Sequence, residues 1–507
     1  MTDTPTLNYA VWNPLDIRGG AVPTNANMNP GVGNSQGVRG TFGVTSGKWY
    51  WEHTLVTAST DYAVGIGNQN PFGTYVGSNT DSVGYFSADG TVRRNASVVV
   101  TYGTWNTSGK IVGFALDQDA GTLQLFVDGV SQGSAFSHSL TGTIFPMINF
   151  GTGYGTPVGA TNFGQRAFSY TPPTGFKALN TTNLPTPSIK KGSLYMDATL
   201  RTGTGATASV SSLSFAPDLV WIKSRSAATN NNLFDTSRGA TVGLVSQNAT
   251  AEYTDANSLT AFSSNGYSLG SDASSRGVNI NTNTYVDWAW KEGATPGFDV
   301  VLYTGNGTNR TVSHSLGAAP ACYVCKYRSG SNADEWFMYH KSLGATKYIR
   351  WSQALASSTS STYWNDTAPT SSVFSLGTNT AINTNSSLYV SYLWSEIEGF
   401  SKFGSYTGNS SSDGPFVWCG FTPKWIYIKG DNATSGRQYD TERLPYNQAS
   451  SPLYFNTASA ESAEAGGIDI LSNGFKIRWS DSVLNGSGTT YIFMAFAENP
   501  FKYSRAR

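Results

Sequence analysis

One stretch of sequence recurs three times in this chain and limits what the chain can fold into. It reads TYVDWAW from Thr284, LYVSYLW from Leu388 and TYIFMAF from Thr490. In a β-strand successive side chains point to opposite faces, so each copy places three large apolar residues on one face. We therefore predict three equivalent strands, each with one face buried in a fixed register and the other face less constrained.

A second stretch, PDLVWIK, PACYVCK and PKWIYIK, recurs upstream of the first. Its prolines, Pro217, Pro320 and Pro423, are spaced 103 residues apart. The runs are apolar on both faces, as in a central strand, and proline is tolerated at the first position of a strand. This period is the size of a whole β-sandwich and exceeds the repeats of about 20–50 residues that form solenoids and propellers. We predict three independent sandwiches, at residues 183–297, 298–399 and 400–507.

Composition excludes several classes of protein. Charged residues make up 13% of the chain, about half the usual fraction of about 25%. The formal net charge is zero and no basic stripe is present, so we expect no nucleic-acid partner. No apolar run is long enough to span a bilayer, which predicts no membrane insertion, and the start MTDTPTLNYA lacks the apolar core of a signal peptide. Three cysteines are too few for a disulfide framework.

Residues 1–182 carry strand signals of their own. Short apolar runs begin at Lys48, Val64, Val83, Val112 and Leu123, and the last of them ends in an Asp-Gly turn. Short strands that alternate with Gly, Asn and Asp turns are typical of a β-sandwich. We predict a fourth sandwich over this region.

These blocks, GKWYWE, VGIG, VGYF and VGFALDQDAGTLQLFVDG, together with the Phe145-Pro146 pair and the closing NFGQ, resemble a SPRY (B30.2) domain over about residues 8–180. The resemblance implies a concanavalin-like sandwich of two antiparallel sheets that serves as a binding module, with loops at one end holding a partner. The run QRAFSYTPPTGFKALNTTNLPTP resembles the version found in bacteriophage virion proteins. The three C-terminal segments, ending in YIFMAFAE, resemble units of phage tail fibres. The chain is thus expected to be all-β, with tandem sandwiches throughout.

The histidines and cysteines form no catalytic or metal-binding pattern. We interpret His53 and His314 as ordinary surface or edge residues, since no histidine stands at ligand spacing. Cys322 and Cys325 form a CxxC pair, but positions i and i+3 of a strand point to opposite faces and no second pair completes a zinc site. No GxSxG motif occurs. We expect no metal, no cofactor and no nucleophilic residue.

Carboxylates need separate treatment, because phage tail proteins can carry enzymes that cut polysaccharide. Such hydrolysis requires two carboxyl groups roughly 5–10 Å apart. Glu292, Glu396 and Glu498 end the three recurring strands, and their recurrence indicates a shared structural role such as pairing with lysine or capping the strand end. DTSR from Asp235 recurs as DTER from Asp440, which indicates an Asx turn or an Asp–Arg pair. We predict that the chain is not an enzyme.

A few aromatic residues fall in predicted loops, where they can stack on sugar rings or fill a partner's pocket. The alternative is that they cover the loops of their own domain. Arg93-Arg94 is the compact basic pair of the first domain and can join such a site. The candidate ligand-binding residues are Phe72, Tyr75, Arg93, Arg94 and Trp105, and Trp364 is a further loop aromatic in the second repeat.

The strand pattern predicts stacked β-sandwiches without a catalytic site, and the resemblance implies a non-enzymatic bacteriophage virion protein, a tail fibre or fibre-like appendage that recognises the host surface. A head-decorating or connector protein without receptor binding stays open as an alternative, as does a polysaccharide depolymerase. Expected partners are other virion proteins and a host polysaccharide or outer-membrane protein, and the expected location is the virion, after synthesis in the host cytoplasm. Such fibres are commonly homotrimers. Because the chain has no coiled-coil heptads, a trimer would assemble through domain faces, such as exposed tyrosine faces of the recurring strands.

Overall fold

The computed structural model of the chain describes residues 7–31, 35–58, 62–70, 72–150, 159–272, 276–330 and 334–503. The chain divides into two compact units, Met1–Thr186 and Pro187–Arg507. Both are built almost entirely from antiparallel β-strands, so the predicted all-β fold is confirmed. The helices among the described residues are single turns, and none of them is long and apolar enough to cross a membrane.

The first unit is a sandwich of two sheets. The first sheet contains, in spatial order, β1 (Trp12–Arg18), β2 (Gly37–Gly40), β12 (Phe145–Asn149), β4 (Ala63–Gly67), β5 (Ser82–Phe86), β6 (Thr91–Arg94) and β7 (Ser97–Thr101). The second contains β10 (Val130–Ser131), β9 (Thr122–Val127), β8 (Ile111–Asp117), β3 (Lys48–Leu55) and β13 (Gly159–Asn162). Two short strands join its edges: β11 (Phe136–Ser137) pairs with β9, and β14 (Lys177–Ala178) pairs in parallel with β3.

Large aromatic side chains fill the space between these sheets. Trp12 on β1 donates its Nε1 to Thr161 Oγ1 on β13 of the opposite sheet at 3.1 Å. His53 on β3, which the sequence placed at the surface, is instead buried, and its ring nitrogens lie 2.7 Å from Thr161 Oγ1 and from Tyr62 Oη. Burial lowers the pKa of His53 to about 3, so the imidazole is neutral at pH 7 and belongs to the core.

The second unit contains three large sheets in which equivalent strands follow the same order. The first sheet is β15 (Met196–Thr202), β23 (Thr284–Trp290), β17 (Leu219–Ser224), β18 (Asn232–Asp235), β19 (Val242–Val245) and β20 (Tyr253–Thr254). The second is β24 (Phe298–Thr304), β31 (Leu388–Ser395), β26 (Pro320–Ser329), β27 (Phe337–His340), β28 (Lys347–Arg350) and β29 (Ser358–Thr359). The third is β32 (Ser401–Thr407), β39 (Thr490–Pro500), β34 (Phe421–Gly430), β35 (Arg437–Asp440) and β36 (Leu453–Tyr454).

A small sheet accompanies each large one. These are β16 (Ala208–Val210), β22 (Gly266–Leu269) and β21 (Leu259–Ser263); β25 (Arg310–Ser313) and β30 (Val373–Leu376); and β33 (Phe416–Trp418), β38 (Gly474–Ile477) and β37 (Ile468–Leu471). The helical turns are α1 (Ser361–Trp364), α2 (Thr380–Asn383) and α3 (Ser482–Asn485), with 3₁₀ turns at Gly192–Leu194 and Phe501–Tyr503. The recurring runs predicted as strands are thus β23, β31 and β39, and the division into three repeats stays a prediction.

The expectation that the three C-terminal sandwiches are independent is wrong. The large apolar faces of the recurring strands turn toward one another and form one core cluster that extends from Ile189 to Ala497. The ring centroid of Trp221 in the first sheet lies 6.0 Å from that of Trp351 in the second and 6.5 Å from that of Trp425 in the third. Alternation along a strand shows that one face is buried, but it does not show which surface covers that face.

Hydrogen bonds near the ends of β18, β27 and β35 connect the three large sheets in a ring. Each contact runs from one sheet to the recurring strand of the next: Tyr392 Oη donates to Asp235 Oδ2 at 2.7 Å, His340 Nε2 lies 3.2 Å from Phe493 O, and Trp288 Nε1 donates to Asp440 Oδ2 at 3.1 Å. The first sheet thus contacts the second, the second the third, and the third the first. Contacts of this head-to-tail kind close into a ring when three elements are related by the appropriate rotation.

The opposite, tyrosine-bearing faces of the recurring strands are not exposed. Tyr285, Tyr389 and Tyr491 are all 0% exposed. Each hydroxyl accepts a hydrogen bond from a backbone N–H five residues earlier: Ile280 at 2.9 Å, Thr384 at 3.0 Å and Gly486 at 2.7 Å. Assembly of a trimer through exposed tyrosine faces is therefore excluded, because these faces pack inside the unit.

Candidate binding surface on the first unit

The loop of residues 68–81, between β4 and β5, carries two of the predicted site residues and is fixed by an arginine from β1. Arg18 donates Nη1 to Gly73 O at 2.7 Å and to Thr74 O at 2.8 Å. A backbone carbonyl held by a guanidinium keeps its loop in one conformation without any ligand. The entropy cost of ordering the loop is then not added to the cost of binding.

Phe72 packs on a second arginine that holds this loop, Arg39 of β2. The guanidinium carbon of Arg39 is 4.0 Å from the centroid of the Phe72 ring. Arg39 is buried, forms an ion pair with Asp16 at 2.9 Å and donates Nη2 to Asn70 O. A cation over an aromatic face contributes about 0.5–2 kcal/mol. Phe72 is therefore half-buried and held in place.

Tyr75 and Arg93 both contact the ring of a third aromatic side chain, Phe86. The ring of Tyr75 packs edge-on against Phe86 with centroids 5.8 Å apart, and the guanidinium carbon of Arg93 lies 4.4 Å from the Phe86 centroid. Arg94, the next residue, donates Nε to Thr80 O at 3.2 Å. The structure thus brings Tyr75 and Arg93 together on one buried ring, and Arg94 holds the loop through Thr80.

Backbone hydrogen bonds tie the loop to the hairpin of β6 and β7. Asn95 N donates to Asn79 O and Ala96 N donates to Gly77 O, both at 2.9 Å. These hydrogen bonds join the loop that carries Phe72 and Tyr75 to the hairpin that carries Arg93 and Arg94, and we call these four residues the loop–hairpin surface.

Two predicted loop aromatics do not lie on a surface. Trp105 is 0% exposed and packs between Tyr62 and Tyr85, with ring centroids 5.7 and 5.6 Å away. Trp364 is also 0% exposed and donates its Nε1 to Lys347 O at 3.0 Å. For these two residues the prediction of a ligand contact is wrong, because a loop with a large aromatic side chain can fold that side chain into the core of its own domain.

The loop–hairpin surface carries groups suited to binding. Arg93 and Arg94 have guanidinium groups, which remain protonated in proteins, and Arg93 is paired with Asp89. Half-exposed aromatic rings next to guanidinium groups provide stacking and hydrogen-bond donors. This combination suits a ligand or partner with flat apolar portions and oxygen acceptors.

Sequence reasoning missed a cleft elsewhere on this unit. A cleft of about 300 Å³ lies beside the start of β3, where its lining includes Lys48, Asp119, Lys177 and Asn183. Lys48 forms an ion pair with Asp117 at 2.9 Å. Trp49, which is 2% exposed, also lines the cleft. The run GKWYWE predicts only a strand. The cleft could not be predicted from it, because its lining comes from segments that are distant in sequence.

The recurring glutamates of the second unit have structural partners. Glu396 forms ion pairs with Lys341 and Lys402. Thr441 Oγ1 donates to Glu498 Oε2 at 3.3 Å. Glu292 accepts a hydrogen bond from Val300 N at 3.4 Å. The predicted pairing with lysine holds for Glu396.

The recurring Asp–Arg motifs form the predicted turns. The two copies are Asp235–Arg238 and Asp440–Arg443. In both, the backbone N–H of the arginine donates to the aspartate Oδ1 at 2.8 Å, and the guanidinium Nε donates to Oδ2 at 2.6 Å. All four side chains are 0% exposed, and the aspartates also take part in the ring of contacts. An Asx hydrogen bond and an ion pair therefore occur together.

The two strand cysteines point to opposite faces, as predicted. Cys322 lies 3.9 Å from Met494 in the shared core, and Cys325 lies 2.9 Å from Ser391 Oγ on the tyrosine side. Within the described ranges, no group of three or more histidine, cysteine, aspartate or glutamate side chains is placed to hold a metal ion.

Two family models match the chain. One, described as a domain of unknown function (DUF7483), matches residues 191–500, which is more than half of the chain. The other, the SPRY domain, matches residues 48–166. No curated protein matches the chain.

Solved structures similar to this chain include SPRY domains. The SPRY domain of human HERC1 has 18% sequence identity and a TM-score of 0.25, over 32% of this chain and 99% of that chain. The TRIM65 PSpry domain has 15% identity and a TM-score of 0.26, over 31% and 92%. The stonustoxin structure has 17% identity and a TM-score of 0.24, over 30% of this chain and 26% of that one.

Proposed function

The chain belongs to the DUF7483 family, a domain of unknown function, and carries a SPRY domain at residues 48–166; on that premise we propose that it is a non-enzymatic recognition protein of a bacteriophage virion. In this proposal the chain is a tail fibre or a fibre-like appendage, and the loop–hairpin surface contacts a polysaccharide or outer-membrane protein of the host. The phage assignment comes from the resemblance of the segment after the SPRY domain and of the C-terminal segments to phage virion proteins.

One observation supports recognition above all: the loop of the loop–hairpin surface is held by a buried arginine, Arg39, and a half-buried one, Arg18. Arg18 and Arg39 hold the loop through its carbonyl oxygens, so Phe72 and Tyr75 occupy fixed positions at the edge of the sandwich. Preorganised aromatic residues bind with little loss of conformational entropy.

A role without catalysis fits the use of the titratable groups. The recurring carboxylates hold strand ends and turns, and His53 and His340 are buried with low pKa values of about 3 and about 4. Burial is the main cause in both histidines. Buried histidines with such low pKa values are poorly suited to act as a general acid and base at neutral pH.

We further propose that the second unit consists of three repeats of one sandwich, which supplies a rigid body for the recognition surface. The shared strand order of the large sheets, the recurring Asp–Arg turns and the equivalent buried tyrosines support this proposal. Homotrimer formation also remains a proposal, with an assembly surface other than the buried tyrosine faces.

The test is binding of the fluorescently labelled full chain to intact cells of a panel of bacterial strains. We expect saturable binding to at least one strain, and a loss of about tenfold or more when Tyr75→Ala and Arg93→Ala are combined, since anchoring residues each contribute about 1–2 kcal/mol or more. Val22→Ala is the matched control, because Val22 is 65% exposed on the same unit but lies outside the loop–hairpin surface.

Three results would contradict the proposal in different ways. Absence of binding to every strain would favour a connector or head-decorating role. Binding that the double variant leaves unchanged would place recognition elsewhere on the chain. An increase in reducing ends when the chain is incubated with purified surface polysaccharide would show a depolymerase.

A further inference from the structure

The loop between β35 and β36 departs from its counterparts in the other two large sheets. Six residues separate β18 from β19 and six separate β27 from β28, whereas twelve, residues 441–452, separate β35 from β36. The longer loop carries LPYNQ from Leu444. Loops that vary on a constant framework are common places for binding residues.

This loop is fastened to the edge of the third small sheet. Ala449 and Ile468 exchange two backbone hydrogen bonds of 2.8 and 3.0 Å. Two residues further along β37, the side-chain amide of Asn447 makes the pair of hydrogen bonds that a neighbouring strand's backbone would make. Its Nδ2 donates to Ile470 O, and Ile470 N donates to its Oδ1, both at 2.9 Å. Four hydrogen bonds therefore extend the ladder of β37 and fix the segment that follows Tyr446.

Polar groups surround the segment. Gln448 Nε2 donates to Arg478 O at 3.0 Å. Arg478 donates Nε to Asp469 Oδ2 at 2.6 Å and Nη1 to Asp413 Oδ1 at 2.8 Å. The Asp469 and Arg478 side chains are only 17% and 30% exposed, so the carboxylate and guanidinium planes keep one orientation.

Tyr446 itself is 83% exposed, and no other large hydrophobic side chain of the described residues 400–503 is comparably exposed. A protein-binding hot spot normally lies at the centre of an apolar patch that excludes water. The segment next to Tyr446 instead carries polar groups: Gln448 lies two residues on, and Asn447 bonds to Ile470, the neighbour of Asp469, which pairs with Arg478. A single aromatic face with a polar border matches a ligand that has one C–H face and many hydroxyl groups.

We propose that Tyr446 is the stacking platform of a saccharide-binding site at this loop, with Gln448 and the Asp469–Arg478 pair as hydrogen-bonding groups for the sugar hydroxyls. The C–H bonds on one face of a pyranose are slightly positive and pack on the negative face of the phenol ring. The ligand class is a neutral oligosaccharide. The site goes beyond the proposed function, because it belongs to the second unit and does not depend on the loop–hairpin surface.

Saturation-transfer NMR on the full chain tests the site with maltotriose, cellotriose, lactose and chitotriose as probes. We expect ring protons of at least one probe to receive saturation. Tyr446→Ala should weaken the binding of that probe at least about tenfold, because loss of one stacking contact costs about 1–3 kcal/mol by analogy with base stacking. Tyr446→Trp should retain binding, since it keeps an aromatic face, and Asp469→Asn should weaken it without abolishing it.

The controls separate this site from general effects. Leu355→Ala removes a side chain that is 41% exposed in the second large-sheet region, and should leave saturation unchanged. Tyr75→Ala should also leave it unchanged, so failure of one site is distinguishable from failure of the other. Circular dichroism confirms that each variant is folded. The proposal is overturned if none of the probes receives saturation, or if Tyr446→Ala binds as the original chain does.

Discussion

Glu292 and Glu396 stand at equivalent ends of two recurring strands, yet their neighbours give them opposite charge behaviour. Burial and a hydrogen bond with the Asp299 carboxyl raise the pKa of Glu292 to about 7. Burial also acts to raise the pKa of Glu396, but Lys402 and Lys341 outweigh it and hold that pKa below its usual value. At pH 7 this position is thus about half protonated in the first sheet and negatively charged in the second.

The raised pKa of Glu292 predicts a pH dependence of stability. The folded chain binds the proton more tightly than the unfolded chain, so the stabilisation is complete below pH 4.5 and is lost as the pH rises through about 7. Because Glu292 is half-exposed, we expect a loss of about 1 kcal/mol. Glu292→Gln, which keeps the shape and donor of the protonated acid, should remove this part of the slope in urea unfolding between pH 5 and 8.

Glu396→Gln is the matched control for that measurement. It breaks ion pairs with two lysines and should lower the free energy of unfolding at pH 7, where Glu292→Gln should raise it. Equal pH slopes for the original chain and Glu292→Gln would show that the Glu292–Asp299 contact does not hold the proton.

At the scale of elements, the buried tyrosines explain how each recurring strand begins. Tyr491 accepts a hydrogen bond from Gly486 N at 2.7 Å and donates to Ser482 O. The turn of α3 is therefore fastened to the strand that follows it. Tyr389 makes the same kind of contact with Thr384 N after α2. The tyrosine sets where the strand enters the sheet.

Tyr491→Phe should measure how much the hydrogen bond from Gly486 N contributes to the free energy of unfolding. It leaves the buried Gly486 N–H without its acceptor, which costs about 1–3 kcal/mol. Urea unfolding measures the loss, and hydrogen exchange should show faster exchange at the Gly486 amide. Tyr446→Phe removes a hydroxyl from a side chain that is 83% exposed, and should change stability by less than about 0.5 kcal/mol. Unchanged protection of Gly486 in Tyr491→Phe would contradict this assignment.

Much of the strand structure could be predicted from sequence, but the packing between strands could not. A period of two identified β23, β31 and β39 and the face that carries Trp288 and Trp290. The tyrosine face looked variable, because Asp287, Ser391 and Phe493 alternate with the tyrosines there. Those residues are buried by partners specific to each sheet, such as Arg201 for Asp287. Partners distant in sequence leave no periodic signal.

The candidate site shows the same limit. Phe72, Tyr75, Arg93 and Arg94 were identifiable as loop and hairpin residues, but their common neighbour Phe86 and the arginines of β1 and β2 that hold the loop were not. Trp105 was misplaced, since a tryptophan between two strands gives no indication of which way its ring turns. Tyr446 was overlooked although the extra loop length is visible in the spacing between Asp440 and Leu453.

At the scale of the molecule, the ring of contacts makes the second unit one body. Asp235, His340 and Asp440 each reach from one sheet to the recurring strand of the next. Three such sheets bury their large faces within a single chain, as three chains do in a homotrimer. The core of this unit therefore does not require partner chains for its burial, whatever assembly the exposed surfaces support.

A shared core predicts that a substitution that destabilises one large sheet also destabilises the other two. Trp288 in the first sheet is 0% exposed, lies 5.1 Å from Trp221 between ring centroids and donates to Asp440 of the third sheet. Trp288→Ala should cost about 3–5 kcal/mol. Because the three sheets unfold together, hydrogen exchange should become faster for core amides of β26 and β34 as well as of β17. Leu200→Ala, at a side chain 39% exposed on the same sheet, should leave all three strands protected. If Trp288→Ala sped exchange in the first sheet alone, each sheet would be a separate cooperative unit, and the tryptophan contacts between sheets would contribute little to holding the ring together.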